Sequence, residues 1–209
     1  MDGLFRKERM ETMPRMALEE RIATLAAAIE AKDPCTSEHL ARVAVVAEAI
    51  ARAMGLPDAE IREVHLAAVL HDLGKLWIDS AVLKKESRLT EEEWEHMKQH
   101  PRLGFEQLAG EPALARIRDG LLHHHERIDG RGYPAGLSGD EIPLLARIIA
   151  VADGFDAMTS DRPYRKALAA QVAVDEILLN RGTQFCPKVV DAFARALSIE
   201  GMQIERVAE

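Results

Sequence analysis

The segment His71-Asp72-Leu73-Gly74-Lys75 joins an imidazole to a carboxylate, and both are ligands for borderline divalent metals. Asp72 has two oxygens and can bridge two ions. Gly74 lets backbone pack closely around them. Lys75, four residues beyond His71, shares its face on a helix and can meet a phosphate without displacing a metal. His124-His125-Glu126, with Asp129 following, forms a second cluster. Consecutive histidines point in different directions, so they can serve neighbouring metals, or one metal and its outer hydrogen bonds. The stretch VADGFDAM sets Asp153 and Asp156 in an otherwise apolar helix. A carboxylate there is expected to be buried and to need a partner. A metal would serve Asp153; Asp156 would orient a ligand histidine or cap a neighbouring helix. His39 opens one helix, and His100-Pro101 is read as closing another. Each of the eight histidines, taken singly, reads better as a surface or hydrogen-bonded core residue. Together they draw ligands from separate helices, as a site in the core of a helical bundle requires.

Two further features bear on a substrate. Asp161-Arg162-Pro163-Tyr164-Arg165-Lys166 places three cations just beyond the Asp153 helix, either to hold phosphates or as a solvated basic loop. The loop DGRGYPAGLSGDE over 129–141 concentrates glycine and turn chemistry, yet Tyr133, Pro134 and Leu137 would anchor it. Tyr133 can wall the site by stacking or donating a hydrogen bond.

Helices must position these residues. Leu18, Ile22, Leu25, Ala26 and Ile29 form a helical stripe over 16–31. Asp33-Pro34 breaks it, and Thr36 or Ser37 can cap the next helix, which runs through Leu40, Val43, Ala47, Ile50 and Met54 to Gly55. A third helix spans 58–69, and 73–84 is mixed. Thr90 with Glu93 predicts a capping box for a helix to about Gln99. Another runs from near Pro112 to 123–125, Pro143 starts the helix bearing Asp153, and two more lie near 168–180 and 187–197. No repeat and no Gly-rich phosphate loop is present. The reading is one all-α domain over 32–209 behind a helical arm over 1–31.

Composition narrows the function class. The 209 residues are 47% hydrophobic and 30% charged, with 4% aromatics, which favours packed helices over a sandwich or barrel. A net charge of −8 argues against binding of polymeric nucleic acid, though metals and a few local cations can still collect a small anion. Two cysteines, Cys35 and Cys186, make no disulfide framework. No signal-peptide core and no run near the roughly 18 apolar residues of a membrane span is visible. A soluble cytoplasmic protein is expected, whole or excised from a larger sensor.

From Asp33 to about Phe193 the chain resembles the HD-GYP family. The matching stretches are DPCTSEHLARVA, HDLGKLWIDSAVL, KQHPRLG, HHERIDGRGYPAGLSGDEIP, ARIIAVADGFDAMTSDRPYRKAL and QFCPKVVDAF. A lone His-Asp pair is weak; combined with HHExxDGxGYPxGL it is specific. The resemblance implies an all-α HD-domain bundle with a metal site in its core, and hydrolysis of cyclic di-GMP to linear pGpG or on to GMP. It implies His39, His71, Asp72, His100, His124, His125 and Asp153 as metal ligands, with Asp72 as the bridge. Lys75, Arg162 and Arg165 match phosphate-facing cations, and Gly132-Tyr133-Pro134 is the GYP element. Trinuclear members carry Glu four residues before the first ligand histidine. Cys35 stands there, so two divalent ions are expected rather than three: iron or manganese first, nickel or zinc as alternatives. Arg131 stands where a small residue is frequent and either adds a cation near the substrate or faces solvent. Cys186 stands at a commonly acidic position, with only a local packing effect expected.

The expected chemistry is metal-assisted phosphodiester hydrolysis, with Asp72 and Lys75 at its centre. Rivals are another cyclic dinucleotide, such as cyclic GMP-AMP, and a non-catalytic cyclic-dinucleotide receptor or partner-binding module. The stripe of the arm suits packing on its own domain or a homodimer seam, and a signalling protein is a further candidate partner.

Overall fold

The structure, a computed structural model, describes residues 18–32, 38–161 and 166–199. Ten α-helices occur among them: α1 Leu18–Lys32, α2 His39–Ala53, α3 Asp58–Leu70, α4 Ser80–Leu83, α5 Glu91–Met97, α6 His100–Gln107, α7 Ala115–His123, α8 Leu144–Thr159, α9 Ala170–Leu179 and α10 Pro187–Ile199. Short 3-10 turns lie at Leu73–Trp77, Pro112–Leu114 and Gly139–Glu141. No strand occurs among the described residues, so the all-α expectation holds. No described helix is long and apolar enough to cross a membrane.

Helices α2 and α8 form the centre. Val43, Ala47 and Ile50 of α2, and Ile148, Ile149, Val151, Ala152 and Phe155 of α8, are buried in one core. A helix apolar on most sides, as α8 is, belongs inside a fold. Helices α3 and α10 pack on α2, and α7 and α9 pack on α8. Phe155 and Phe193 meet at 5.3 Å, tying α10 to α8. Each such buried side chain contributes roughly 1.5–3 kcal/mol. The stripe on α1 is used within this core, where Ile22 and Ile29 are buried. Lys32 at the end of α1 donates to the carbonyls of Leu76 and Ile78, at 2.7 and 2.6 Å.

Several element boundaries differ from the sequence reading. His100-Pro101 opens α6 instead of closing a helix. Proline lacks an N–H that the first helical turn does not need, so it fits there. Thr90 and Glu93 do form the capping box, but α5 stops at Met97. Pro143 sits one residue before α8. The proposed break at Asp33-Pro34 and the caps Thr36 and Ser37 lie outside the described residues.

Candidate metal centre

Each candidate metal ligand sits where a helix begins or ends, except Asp153 of α8. His39 is the first residue of α2. Helix α3 stops at Leu70, and His71 follows as its cap. Asp72 leaves the helical conformation, with φ −93° and ψ 10°, and leads into the 3-10 turn. His100 opens α6, and His124 caps α7.

Glycine makes two of these approaches possible. A Cβ on Gly74 would lie 1.7 Å from the His100 carbonyl oxygen and 2.7 Å from the Gly104 nitrogen. Only glycine lets the Asp72 turn rest on the backbone of α6. A Cβ on Gly132 would lie 2.4 Å from the Glu126 Cα and 2.6 Å from the His125 carbonyl oxygen. The loop thereby crosses directly over the residue that follows the two histidines, and its Tyr133 ring covers His125 at 4.9 Å and 30°. The Tyr133-Pro134 bond is cis.

Hydrogen bonds fix which histidine nitrogen faces the centre. Nδ1 of His71, His100 and His124 lies 2.7, 2.9 and 2.6 Å from the carbonyls of Ala68, Met97 and Leu121. A carbonyl can only accept, so each Nδ1 donates and each Nε2 keeps a lone pair. Nδ1 of His39 donates to Asp156 Oδ2 at 2.6 Å. The free nitrogens converge: His39 Nε2 is 3.4 Å from His71 Nε2, and His100 Nε2 is 3.3 Å from His124 Nε2. Two lone pairs so close repel each other unless a cation or proton lies between them.

His39, His71 and Asp153 form one group of converging ligand atoms, His100, His124 and His125 a second, and His71, Asp72 and His124 a third that joins them. Asp72 Oδ2 is 3.4 Å from His71 Nε2, and Oδ1 is 3.4 Å from His100 Nε2. All seven residues expected as ligands are thus brought together from α2, α6, α8 and the segments after α3 and α7. Borderline nitrogen and oxygen donors with lone pairs turned inward suit first-row divalent ions.

Protonation follows from this packing. Burial pushes His100 down to about 4 and His124 down to about 3. Desolvation, with the charges of His124 and His100, holds His125 well below the ordinary value. All three are neutral near pH 7, the form that ligates metal. Burial opposes ionisation of Asp72, but Lys75, His71, His100 and His39 outweigh it and keep the carboxyl well below its usual range. For His39, burial opposes the charged form, yet the Asp156 bond and the charges of Asp153 and Asp72 raise its pKa. A cation at Nε2 would compete with that proton.

Two expectations need correction. Lys75 does not share a helical face with His71, because α3 has already ended; its ammonium instead lies 2.8 Å from Asp72 Oδ2. Asp153 is not fully buried: its side chain is 20% exposed. The fully buried carboxylate of α8 is Asp156, gripped by His39 and by the Arg42 guanidinium. Of its two sequence readings, Asp156 makes the contact that orients a histidine, His39. Cys186 packs in the core, with Arg147 Nη1 at 3.8 Å from its sulfur. The remaining histidines do other work: His65 pairs with Glu48, His96 accepts from the Asp79 backbone at 3.2 Å, and His123 lies 3.6 Å from Glu126.

A cavity of about 460 Å³ opens beside the centre, lined by His124, His125, Asp153, Tyr133, Arg131, Lys98 and Trp94 among others. Arg131 and Tyr133, expected near a substrate, both line it. Lys166 pairs with Asp161 at 2.7 Å. Arg162, Arg165 and Cys35 lie outside the described residues. Sequence reasoning missed Arg42, whose signal was its position three residues after His39, on the same face of α2. It also missed what Glu126 does: its buried Oε1 accepts from the backbone of Ala135 and Gly136 at 2.7 and 3.1 Å, pinning the Tyr133 loop.

Comparison with known proteins gives a consistent picture. The HD domain family matches residues 23–189. The cyclic di-GMP phosphodiesterase response regulator RpfG of Xanthomonas campestris pv. campestris is 47% identical over 179 residues, covering 84% of this chain and 47% of that protein. The 3'3'-cGAMP-specific phosphodiesterase 3 of Vibrio cholerae is 39% identical over 174 residues, covering 82% of this chain and 37% of that protein. The chain therefore spans less than half the length of either relative. A solved structure of a cyclic GMP-AMP specific phosphodiesterase from V. cholerae superposes with a TM-score of 0.67 at 20% identity, over 90% of this chain and 50% of that one. At that identity the likeness speaks to the fold.

Proposed function

The chain belongs to the HD-domain family, in its HD-GYP branch, and from that premise we propose that it is a metal-dependent phosphodiesterase that hydrolyses cyclic di-GMP to linear pGpG or GMP. The observation that carries this reading is the position of Asp72, with one oxygen turned to the His71 side and the other to the His100 side. Asp72 would bridge two divalent ions; His39, His71 and Asp153 would hold one, and His100, His124 and His125 the other, each trio having its ligand atoms close enough to share an ion. Iron or manganese suits this donor set best, with nickel or zinc as substitutes. Two ions are favoured over three because Cys35 stands where the trinuclear type has Glu. Ions so held would supply Lewis acidity and would activate water near neutral pH.

The chain's own groups prepare the site for an anion. Asp72 and Asp153 bring two negative charges and Lys75 one positive. Two divalent cations would turn that balance from −1 to +3, which lets an acidic chain take up a phosphodiester. Lys75, within reach of Asp72, orients that carboxylate and faces the phosphate, with Arg162 and Arg165 as further phosphate-facing cations. Arg131 and Tyr133 contact the substrate from the cavity wall. The division into an arm over 1–31 and a domain over 32–209 is retained as part of the proposal, as are a homodimer and a signalling partner.

A second reading, hydrolysis of cyclic GMP-AMP, is favoured by the likeness to the V. cholerae enzyme. Turnover of both cyclic dinucleotides by metal-replete protein, with products resolved by chromatography, separates the two. Higher kcat/KM on cyclic di-GMP supports the first reading, and higher kcat/KM on cyclic GMP-AMP the second. Saturable binding without product would overturn both in favour of a receptor. A folded Asp72→Ala protein with wild-type metal content and activity would rule out the bridging role.

A further inference from the structure

Trp94 is an exposed aromatic on a helix that is firmly held. Helix α5 is braced by the capping box of Thr90 and Glu93, by the Lys85–Glu93 ion pair, and by the bond from the Asp79 backbone to His96. Trp94 is nonetheless 43% exposed, whereas the other tryptophan, Trp77, packs against the core. Its ring has a defined seat: it meets Tyr133 edge to face at 6.2 Å and 79°. Tyr133 in turn covers His125. The three rings run in sequence from the metal-binding cluster to the outer wall of the cavity. One face of Tyr133 is occupied by His125, so Trp94 offers the broad apolar surface that remains. Lys98, four residues on, lines the same cavity and so does Arg131 from the opposite loop, which places cations beside a ring rather than a purely apolar patch. An aromatic face flanked by cations is the usual construction for a nucleotide: the base stacks and the backbone phosphate meets the charge.

Resting on the phosphodiesterase reading above, we infer that Trp94 is the stacking platform for one purine base of the cyclic dinucleotide, and that it sets affinity for the dinucleotide rather than the rate of the chemistry. Stacking is tolerant of base identity, so Trp94 serves cyclic di-GMP and cyclic GMP-AMP alike and does not choose between them.

Steady-state kinetics of Trp94→Ala and Trp94→Phe test this, with metal content measured on each sample. The alanine variant should show KM raised roughly ten-fold or more for either substrate, with kcat within about two-fold of wild type, and the phenylalanine variant should recover most of the loss. An unchanged KM, or a fall in kcat with KM constant, overturns the assignment. So does failure of phenylalanine to rescue. Fluorescence separates this outcome from failure of the enzymatic reading. In a Trp77→Phe background Trp94 is the sole tryptophan, and titration of the metal-loaded protein with cyclic di-GMP should quench it saturably even if nothing is hydrolysed. Binding seen by calorimetry without quenching would place the base elsewhere, or assign Trp94 to a protein partner.

Discussion

Replacing Asp156 with alanine isolates the support beneath the metal centre from the centre itself. Asp156 is buried, and its two oxygens are occupied by His39 Nδ1 at 2.6 Å and by the Arg42 guanidinium. Removing one member of such a buried charged set typically costs about 3–5 kcal/mol, because the partners stay behind without compensation. Arg42 is 23% exposed on its side chain and can turn toward water, so the lower end, about 3 kcal/mol, is expected. At about 2–4 °C per kcal/mol for a domain of this size, the melting temperature should fall by about 6–12 °C. His39 also loses the carboxylate that fixes its tautomer, which typically costs about 10–100-fold in metal affinity. Chelator competition with Mn(II), together with thermal unfolding of the metal-free protein, measures both. A variant that melts and binds Mn(II) like wild type would refute the role of Asp156 in holding His39.

Gly74→Ala should destabilise by about 3 kcal/mol, at the upper end for overpacking, since its Cβ would strike backbone of α6 rather than a movable side chain; urea denaturation reads this, and a loss under about 1 kcal/mol would contradict the close approach. Lys75→Gln should lower kcat by about 100–1,000-fold with metal retained, whereas loss of metal in that variant would make Lys75 structural. Metal-free protein should lose stability as pH falls from about 6.5 toward 4. Unfolded histidine takes up a proton near 6.5, but His100 and His124 resist it until about 4 and about 3, so the unfolded state binds more protons and each site removes up to about 1.4 kcal/mol per pH unit. Asp72, with its depressed pKa, adds loss in stronger acid. His39, with its raised pKa, acts oppositely: it stabilises below about 6.5 and ceases to as pH rises through its folded value. Below about 6.5 the His39 contribution is constant, so His100 and His124, with His125 acting in the same direction, set the slope, and urea midpoints in EDTA should fall from about pH 6.5 to 4.5; a flat or rising profile over that range would contradict this.

The helices were legible because their apolar residues recur at helical spacing and because Thr90, Gly55 and Pro143 punctuate them. The clustering of the seven candidate ligands was legible because His71-Asp72 and His124-His125 are local signals and the family pattern supplies the rest. What the sequence hid was tertiary. His100-Pro101 looks like a stop, yet proline is equally at home in a first turn, and only the position of α6 against Gly74 decides between them. The spacing of Lys75 from His71 misled, because the helix ends at Leu70 and a 3-10 turn re-aims the ammonium at Asp72. The partnership of Arg42 with Asp156 spans 114 residues and has no local signature. Glu126 stands beside two candidate ligands and has no role readable from the sequence, because its bonds to Ala135 and Gly136 depend on how the loop folds back.

Metal stoichiometry measured together with turnover bears most directly on the proposed chemistry. Protein purified anaerobically and loaded with iron or manganese would be assayed for bound metal and for product from cyclic di-GMP on one sample, beside Asp72→Ala. About two ions per wild-type chain, with pGpG or GMP released and both lost in the variant, is the expected result. A folded wild-type protein that takes up no metal after reconstitution would contradict it.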